Sequence, residues 1–196
     1  MENKSVVSAV ISMSLDGFIA GEHVSNDEPL GIGGLALHNW MSDGSAETDK
    51  IFSEGGKMLG AVICGRNTYD LSVPWWKENG PTGEARLPVF VISDDQPNNI
   101  EPNGVYTFVK DIETALEKAE NVAKGKNITI MGGAKTIQKF LRKDYINEIH
   151  IQLIPILLSG GIRLFDNLDK QVKLKPIQTI SSENAIHLQF LLESEV

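Results

Sequence analysis

Residues 128–142 read Ile-Thr-Ile-Met-Gly-Gly-Ala-Lys-Thr-Ile-Gln-Lys-Phe-Leu-Arg, so an apolar strand runs through two glycines directly into a helix. Gly132 and Gly133 lack Cβ atoms, which lets the backbone turn sharply and approach a ligand closely. The helix that follows, with Ala134 to Thr136 in its first turn, offers unpaired N–H groups and a positive dipole end. The stretch therefore predicts either a phosphate cradle or a tight strand-to-helix turn without a ligand, and the diglycine alone does not separate the two.

The rest of the chain alternates between strand and helix patterns. Apolar or alternating runs predict strands over residues 6–13, 59–64, 87–93, 149–153 and 186–192. Ser45 caps a predicted helix through about residue 57, and residues 111–124 carry the clearest helical stripe. Residues 21–44 are predicted to be a long loop with a short helix near 35–41, and the segment before residue 87 a loop rich in Pro, Gly and Trp.

This order predicts an α/β domain with a mainly parallel sheet, because helices connect most of the strands. The last two strands have no obvious helix between them, which predicts an antiparallel edge. Ligands of such sheets bind beyond the carboxyl ends of the strands. Four turn-forming segments lie at such ends and are expected to converge on one rim: residues 14–17, 65–68, 93–94 and 132–133.

The composition restricts the classes of function. The 196 residues suit a single domain, 1–196, and the net charge of −8 argues against nucleic acid as a partner. No apolar run is long enough to span a membrane, and residues 1–12 lack the features of a secretory signal. Cys64 is the only cysteine and reads as an inert core residue, while the four histidines are dispersed and predict no metal site. We therefore expect a cytoplasmic protein.

Five segments in this order resemble the dihydrofolate reductase-like family, in particular the C-terminal reductase domain of bacterial bifunctional riboflavin biosynthesis proteins. They are Ser-Leu-Asp-Gly-Phe-Ile-Ala (14–20), Cys-Gly-Arg-Asn-Thr-Tyr (64–69), Leu-Pro-Val-Phe-Val-Ile-Ser (87–93), Ile-Met-Gly-Gly-Ala-Lys-Thr-Ile (130–137) and Pro-Ile-Leu-Leu-Ser-Gly-Gly-Ile-Arg-Leu-Phe (155–165). The resemblance implies a three-layer fold, with helices flanking a mainly parallel central sheet that ends in an antiparallel C-terminal strand pair. It also implies NADPH as the reductant.

Matched by position, the resemblance assigns cofactor contacts at the predicted rim. The diglycine segment would hold the pyrophosphate, and the 65–68 segment with Ser93 would hold the adenosine phosphates. The residues concerned are Gly65, Arg66, Thr68, Ser93, Gly132, Gly133, Ala134 and Thr136.

Arg66 is the candidate for the 2′-phosphate of NADPH, because a guanidinium pairs with phosphate oxygens through a fixed fork of donors. A surface ion pair is the alternative role. Members of the family often carry a second basic residue after the position of Ser93, whereas Asp94 and Asp95 follow here. Because carboxylates disfavour a 2′-phosphate, NADH remains possible.

The resemblance also assigns residues 14–19 to a mobile loop that closes over the nicotinamide, through Ser14, Asp16, Gly17 and Ile19. Asp-Gly is equally consistent with a simple turn. Arg163 borders the substrate pocket in the resemblance and would bind a substrate anion, or else it is a solvated loop arginine.

The proton that accompanies hydride transfer comes from a carboxylate on the first helix in the folate-reducing enzymes, and Asp49 is the matching candidate, with Glu47 as a substitute. An acidic residue early in a helix also favours the helix dipole, which is the alternative role. The tryptophans, including Trp40, either line the pocket of a flat heteroaromatic substrate or anchor loops in the core.

These observations predict an NADPH-dependent reductase that transfers a hydride to a C=N or C=O group of a small pterin- or pyrimidine-like heterocycle. A nucleotide-binding module without catalysis and a flavin-using reductase are the alternatives. Residues 105–108 and the C-terminal strands are candidates for pairing in a homodimer.

Overall fold

The computed structural model describes residues 4–97, 100–166 and 168–193. The strands are β1 (Val7–Ser14), β2 (Phe18–Ala20), β3 (Leu59–Gly65), β4 (Val89–Ile92), β5 (Tyr106–Val109), β6 (Asn127–Met131), β7 (Glu148–Ile154), β8 (Ile162–Arg163), β9 (Leu174–Ser181) and β10 (Ile186–Leu192). The α-helices are α1 (Ala46–Met58), α2 (Arg66–Trp76), α3 (Ile112–Ala123) and α4 (Ala134–Arg142). Two 3₁₀ segments cover Gly34–Ser42 and Lys77–Ala85.

Eight strands form one sheet in the order β5-β4-β3-β6-β1-β7-β10-β9. The first six of these strands are parallel, and β10 pairs antiparallel with both β7 and β9. Strands β2 and β8 form a separate two-stranded sheet. The predicted fold class, a mainly parallel sheet with flanking helices and an antiparallel C-terminal pair, is confirmed.

The sheet buries its two faces against different partners. On one face, α3 and α4 pack alanines and large apolar side chains such as Phe140 onto apolar positions of β1, β3, β6 and β7. On the opposite face, α2 covers β3 and β4, with Tyr69 almost wholly buried at 1% exposure. Apolar burial of this kind is the main favourable contribution to folding.

Polar residues occupy the second face where β1, β7 and β10 meet. Ser12 lies opposite Gln152 in the register of the sheet, and Gln152 lies opposite His187, so the three residues form one row across these strands. All three are buried. A 3₁₀ segment covers this row, because the Trp40 indole N–H donates to the Ser12 hydroxyl at 2.9 Å.

Helix α2 differs from the sequence-based expectation. Residues 66–68 were predicted to be part of a turn followed by a loop, but they form the first turn of a helix that ends at Trp76. The helix contains Pro74, which has no N–H to donate to a backbone hydrogen bond. A proline inside a helix also makes the helix hard to recognise from the sequence. Burial of Tyr69 against β3 and β4 compensates for the weak local propensity.

Four strands were not predicted from the sequence. Strands β2 and β8 are only three and two residues long, and β9 is an exposed edge strand without apolar alternation. Strand β5, which overlaps the segment 105–108 predicted to pair in a dimer, is the opposite edge of the main sheet. In the part of the chain that the structure describes, no helix has the length and apolar character needed to cross a membrane.

Candidate functional site

Helices α2 and α4 begin without a capping side chain. Gly65 precedes α2 and Gly133 precedes α4, and neither has a side chain that could accept a hydrogen bond from the first turn, although the Gly133 carbonyl accepts from the Thr136 N–H at 3.0 Å. Helices α1 and α3, in contrast, are capped by Ser45 and Asp111, whose side chains accept from backbone N–H groups at 3.1 and 2.7 Å. The first N–H groups of α2 and α4 are therefore available to an external acceptor.

The two uncapped helix N-termini meet at the carboxyl ends of β3 and β6, which are neighbours in the sheet. A Cβ added to Gly65 would collide with the Thr136 hydroxyl, and one added to Gly132 would lie 2.7 Å from Thr68 Cγ2. Gly132 and Gly133 have φ values of 65° and 70°, a region that side chains rarely adopt. The glycines are needed both for this backbone conformation and for the close approach of the two helices.

The predicted pyrophosphate residues thus lie together at one rim. Thr68 and Thr136 are partly exposed there, on the first turns of α2 and α4. The Ala134 side chain is buried, so this residue contributes only its backbone to the rim. Two helix dipoles with unpaired N–H groups give the rim a positive potential despite the negative net charge of the chain.

Arg66 lies at the same rim but is already paired. Its Nε donates to both carboxylate oxygens of Asp70 at 2.8 Å, and its Nη1 donates to the Ser93 hydroxyl and the Asp95 carbonyl at 3.1 Å. The structure therefore brings Arg66 and Ser93 together as predicted. Asp70 was not predicted, although its i+4 spacing from Arg66 on a helix would have indicated the pair.

Asp16 joins the 14–17 turn to the segment before β8. One carboxylate oxygen accepts from the Ser14 hydroxyl at 2.6 Å and the Leu158 N–H at 3.1 Å, and the other accepts from the Ser159 N–H at 2.8 Å. The Ser14 hydroxyl and these two N–H groups lower the pKa of Asp16, although desolvation opposes them. In this conformation the carboxylate fixes the loop rather than pointing to a ligand.

The remaining residues of this loop are also held by the protein. Gly17 has a φ of 89°, and Ile19 is buried in the main core. The Arg163 guanidinium lies 4.3 Å from the Phe18 ring centroid and donates to the Asp16 carbonyl at 3.0 Å. Arg163 remains exposed, so a substrate anion can reach the unpaired part of its guanidinium.

Asp49 and Trp40 occupy different environments. Asp49 is exposed in the first turn of α1. Trp40 is only 5% exposed and is stacked on Phe52, with ring centroids 5.2 Å apart. In this conformation Trp40 anchors its 3₁₀ segment, and Phe52 forms the exposed aromatic surface next to it.

A group of polar side chains near the start of α1 was not predicted from the sequence. It contains Asp43, Thr48, Ser182 and His187, which we call the Asp43 cluster; Thr48 and His187 are buried, and Asp43 and Ser182 are half-buried. The pKa of the Asp43 carboxyl is lowered, chiefly by the Ser45 N–H, which donates to it at 2.9 Å. Burial lowers the pKa of His187, and the Asp43 charge acts in the opposite direction. His187 occupies one of the polar positions of β10 but is buried, and nothing in the sequence connects it to Asp43.

Two further features lie away from the rim. Cys64 is completely buried, and burial raises the pKa of its thiol to about 12, so it is not a reactive thiolate. An open groove of about 530 Å³ adjoins the amino ends of β4 and β5, with Arg86 and Lys118 among its lining residues. This groove is at the end of the sheet opposite to the two helix N-termini.

Comparison with known proteins agrees with this architecture. The family model described as RibD C-terminal domain matches residues 5–188. The chain belongs to the RibD C-terminal domain family. The chain is also similar to the Bacillus subtilis (strain 168) protein named "Uncharacterized protein YwjB", to which it is 31% identical over 191 residues, covering 97% of this chain and 99% of YwjB.

Solved structures show the same fold. A putative riboflavin biosynthesis protein from Shewanella sp. PV-4 has a TM-score of 0.72 and 25% identity, covering 96% of this chain and 99% of that one. Dihydrofolate reductase from Enterococcus faecalis, solved with NADP(H), has a TM-score of 0.63 and 14% identity, covering 99% of this chain and 100% of that one. The resemblance to dihydrofolate reductase-like proteins of the riboflavin type is thereby confirmed.

Proposed function

We propose that this protein is a cytoplasmic, NADPH-dependent reductase that transfers a hydride to a C=N or C=O carbon of a small pterin- or pyrimidine-like heterocycle. The observation that carries the proposal is the meeting of two uncapped helix N-termini, those of α2 and α4, at adjacent strand ends. Their free N–H groups suit a pyrophosphate, which needs several donors and a positive potential. The NADP(H) of the Enterococcus dihydrofolate reductase and the RibD family membership support a nicotinamide cofactor.

The residues at the rim fit a dinucleotide. The backbone at Gly132 and Gly133 would lie against the pyrophosphate, where any Cβ would fill the space beside Thr68. The Thr68 and Thr136 hydroxyls would donate hydrogen bonds to its oxygens. Arg66, held beside Ser93, would face the adenosine ribose and its 2′-phosphate.

The Arg66–Asp70 pair bears on the choice between NADPH and NADH. Asp70 neutralises part of the Arg66 charge, but Nη2 of the guanidinium is not used in the bonds to Asp70, Ser93 and Asp95. A 2′-phosphate would therefore bind Arg66 through Nη2 without displacing Asp70, while the negative charge of Asp70 would weaken its binding. We expect a preference for NADPH that is smaller than for an arginine without a carboxylate partner, so NADH also serves as a reductant.

The bound nicotinamide supplies the hydride, and the protein must orient the acceptor and provide a proton. The loop at residues 14–19, fixed by Asp16 to the segment before β8, would exclude water from the nicotinamide. Asp49, exposed on α1, would provide the proton to the nitrogen or oxygen of the reduced group. Phe52, which is stacked on Trp40, would contact the ring of the substrate. Arg163 would bind an anionic group of the substrate.

Turnover tests the proposal. Purified protein is incubated with NADPH and, in separate reactions, with dihydrofolate, aminopyrimidine ribosides and small carbonyl compounds, and oxidation of NADPH is followed by absorbance. The expected result is oxidation that depends on one of these substrates and falls strongly in the Asp49→Asn variant. NADPH binding without turnover of any substrate would favour a non-catalytic nucleotide-binding module. A yellow protein with flavin absorbance would favour a flavin-using reductase.

We also propose that the protein forms a homodimer through an edge of its main sheet. Strands β5 and β9 are the two edges, and both carry unpaired backbone groups that can extend the sheet. Sedimentation equilibrium measures the mass directly, and a mass of one chain at micromolar concentration would contradict the dimer.

A further inference from the structure

The outer edge of β5 carries backbone groups that no strand of the described chain pairs. Strand β5 pairs only with β4, where the Val105 carbonyl accepts from the Val89 N–H at 2.9 Å. Because alternate residues of a strand direct their backbone groups to opposite sides, Tyr106 and Phe108 direct their N–H and C=O groups outward. The strand reads Tyr-Thr-Phe-Val, without the charges or prolines that commonly protect sheet edges. This edge is therefore available to a further strand.

A groove adjoins this edge on the face of the sheet that α3 covers. Phe90 packs in the main core with α3, and Thr107, its neighbour in the register, faces the same side but is exposed. The open groove of about 530 Å³ lies here, and we call it the β5 groove. Its lining includes Arg86, Phe90, Thr107, Lys118 and Val122. The groove thus combines apolar surface with two cations beside an unpaired strand edge.

The two cations of the β5 groove keep their full charge. Arg86 Nη1 donates to the Asn79 side-chain oxygen, and Nη2 donates to the Asn103 carbonyl at 2.8 Å. Both partners are neutral, so they orient the guanidinium without neutralising it. The ion pairs of the described residues do not involve Arg86 or Lys118, and the described lining contains no acidic residue. In a chain of net charge −8, this local positive charge is complementary to a negatively charged occupant.

The shape of the β5 groove favours an extended chain over a compact ligand. The groove is open to solvent, whereas sites for small molecules enclose most of the ligand surface. A compact anion would bind Arg86 or Lys118 but would leave the edge groups of Tyr106 and Phe108 unpaired. An extended peptide satisfies both, because its backbone pairs with β5 while alternate side chains reach into the groove.

A second copy of this chain is a poorer occupant of the edge. Pairing of β5 with itself across a twofold axis would place the same groove, with the same charges, on each side of the junction. Like charges that face each other disfavour association. The charge of Arg86 and Lys118 therefore favours an acidic segment from a different protein.

We propose that the β5 groove docks an extended acidic segment of a partner protein, which adds to β5 as a further strand and places its carboxylates beside Arg86 and Lys118. About four residues of the segment would pair with β5, which is four residues long. Apolar side chains between the carboxylates would contact Val122. The groove is at the end of the sheet opposite to the rim formed by α2 and α4, so this inference is independent of the proposed reductase function.

The test uses a blocked hexapeptide, Glu-Val-Glu-Val-Glu-Val, as the acidic probe. Lys-Val-Lys-Val-Lys-Val is the control for charge, and a fully N-methylated acidic peptide is the control for backbone pairing. Hydrogen exchange followed by NMR should show slower exchange of the Tyr106 and Phe108 amides, by about tenfold when the acidic peptide is at ten times its Kd. The Thr107 and Val109 amides, which already pair with β4, should not change.

Variants connect the binding of the acidic peptide to the two cations. Lys118→Gln and Arg86→Gln should each weaken the peptide by about threefold, as for the loss of one solvent-exposed ion pair. Lys57→Gln is the matched control, because Lys57 is an exposed lysine of α1 that does not line the groove. All three variants should keep the affinity of the wild type for NADPH.

Three results would overturn the inference. The first is the absence of saturable slowing at Tyr106 and Phe108 with the acidic peptide. The second is equal affinity for the acidic peptide and either control peptide, because charge or backbone pairing would then not determine binding. The third is slowing of the same amides that rises with protein concentration in the absence of peptide, which would assign the edge to a second copy.

Discussion

Thr136 and Thr68 are the side chains that would contact the pyrophosphate in the proposed function, since they line the junction of α2 and α4 next to the glycines. Replacing Thr136 by valine keeps the branched shape that packs against Gly65 and removes only the hydroxyl. We expect Thr136→Val to weaken NADPH by about tenfold, as for the loss of one hydrogen bond to a charged group. Calorimetric titration measures the affinity.

Thr107→Val is the control for that measurement, because Thr107 is exposed on the edge strand β5 and distant in the sheet from β6. An unchanged affinity in Thr136→Val would mean that α4 does not contact the cofactor. Glycine substitutions are less informative here, since the positive φ of Gly132 and Gly133 would strain the backbone of any replacement.

Asp70 sets how much of the Arg66 charge is available to a ligand. The pair is partly exposed, with side-chain exposures of 32% and 42%, so solvent screens it and its strength is modest. Asp70→Asn should raise the affinity for NADPH relative to NADH by about fivefold at most. Arg66→Ala should lower the same ratio.

The ratio of the two affinities, measured side by side in each variant, is the readout. Glu113→Gln is a suitable control because Glu113 forms a comparable exposed pair with Lys143 on a different helix. If the ratio is the same in wild type, Asp70→Asn and Arg66→Ala, Arg66 does not contact the 2′-phosphate.

At the residue scale the sequence predicted which rim residues come together, because glycines and hydroxyls after strands have a direct structural meaning. It did not reveal Asp70 as the partner of Arg66, since residues 66–76 were not recognised as a helix. It also missed the Asp43 cluster, because Asp43 and Thr48 lie more than 130 residues before Ser182 and His187 and meet them only in the folded chain.

At the scale of elements, Asp16 links the turn after β1 to the segment before β8. Asp16→Ala should destabilise the protein and accelerate hydrogen exchange of the Leu158 and Ser159 amides, which lose their acceptor. Because the folded-state pKa of Asp16 is lowered, its stabilising effect is present above the unfolded-state pKa and is lost as pH falls through the folded-state value.

Denaturant unfolding of wild type and Asp16→Ala at a series of pH values measures this contribution. The difference in the free energy of unfolding should be largest at neutral pH and shrink in acid. A difference that stays constant down to low pH would show that the Asp16 charge is not what joins the two segments.

Helix α1 should be less protected than helix α3. It buries only Thr48, whereas α3 buries four of its residues against the sheet. Hydrogen exchange monitored by mass spectrometry should show faster exchange over residues 49–57 than over residues 115–123. Equal protection of both helices would contradict the weaker packing of α1 against the rest of the molecule.

The success of prediction differed between elements for physical reasons. Helix α3 was predicted almost to the residue because it has a continuous apolar stripe and an aspartate cap. Helix α2 was missed because Pro74 and the adjacent tryptophans resemble a loop, and only burial of Tyr69 stabilises it as a helix. Strand β9 was missed because an exposed edge strand shows no apolar alternation.

At the scale of the whole molecule, the parallel arrangement of six strands brings the functional segments to one edge of the sheet. This convergence was predictable, because the carboxyl ends of parallel strands always share an edge. The order of the strands was not predictable from the sequence alone, and it is this order that makes β3 and β6 neighbours and brings α2 and α4 into contact.

The central claim is that the junction of α2 and α4 binds a nicotinamide dinucleotide. Titration of the purified protein with NADPH and with NADH, followed by quenching of tryptophan emission and energy transfer to the nicotinamide, tests it most directly. The account predicts saturable binding of both, tighter for NADPH, and a loss of affinity in Thr136→Val but not in Thr107→Val. Absence of saturation with either nucleotide, or equal affinity in the wild type and Thr136→Val, would contradict it.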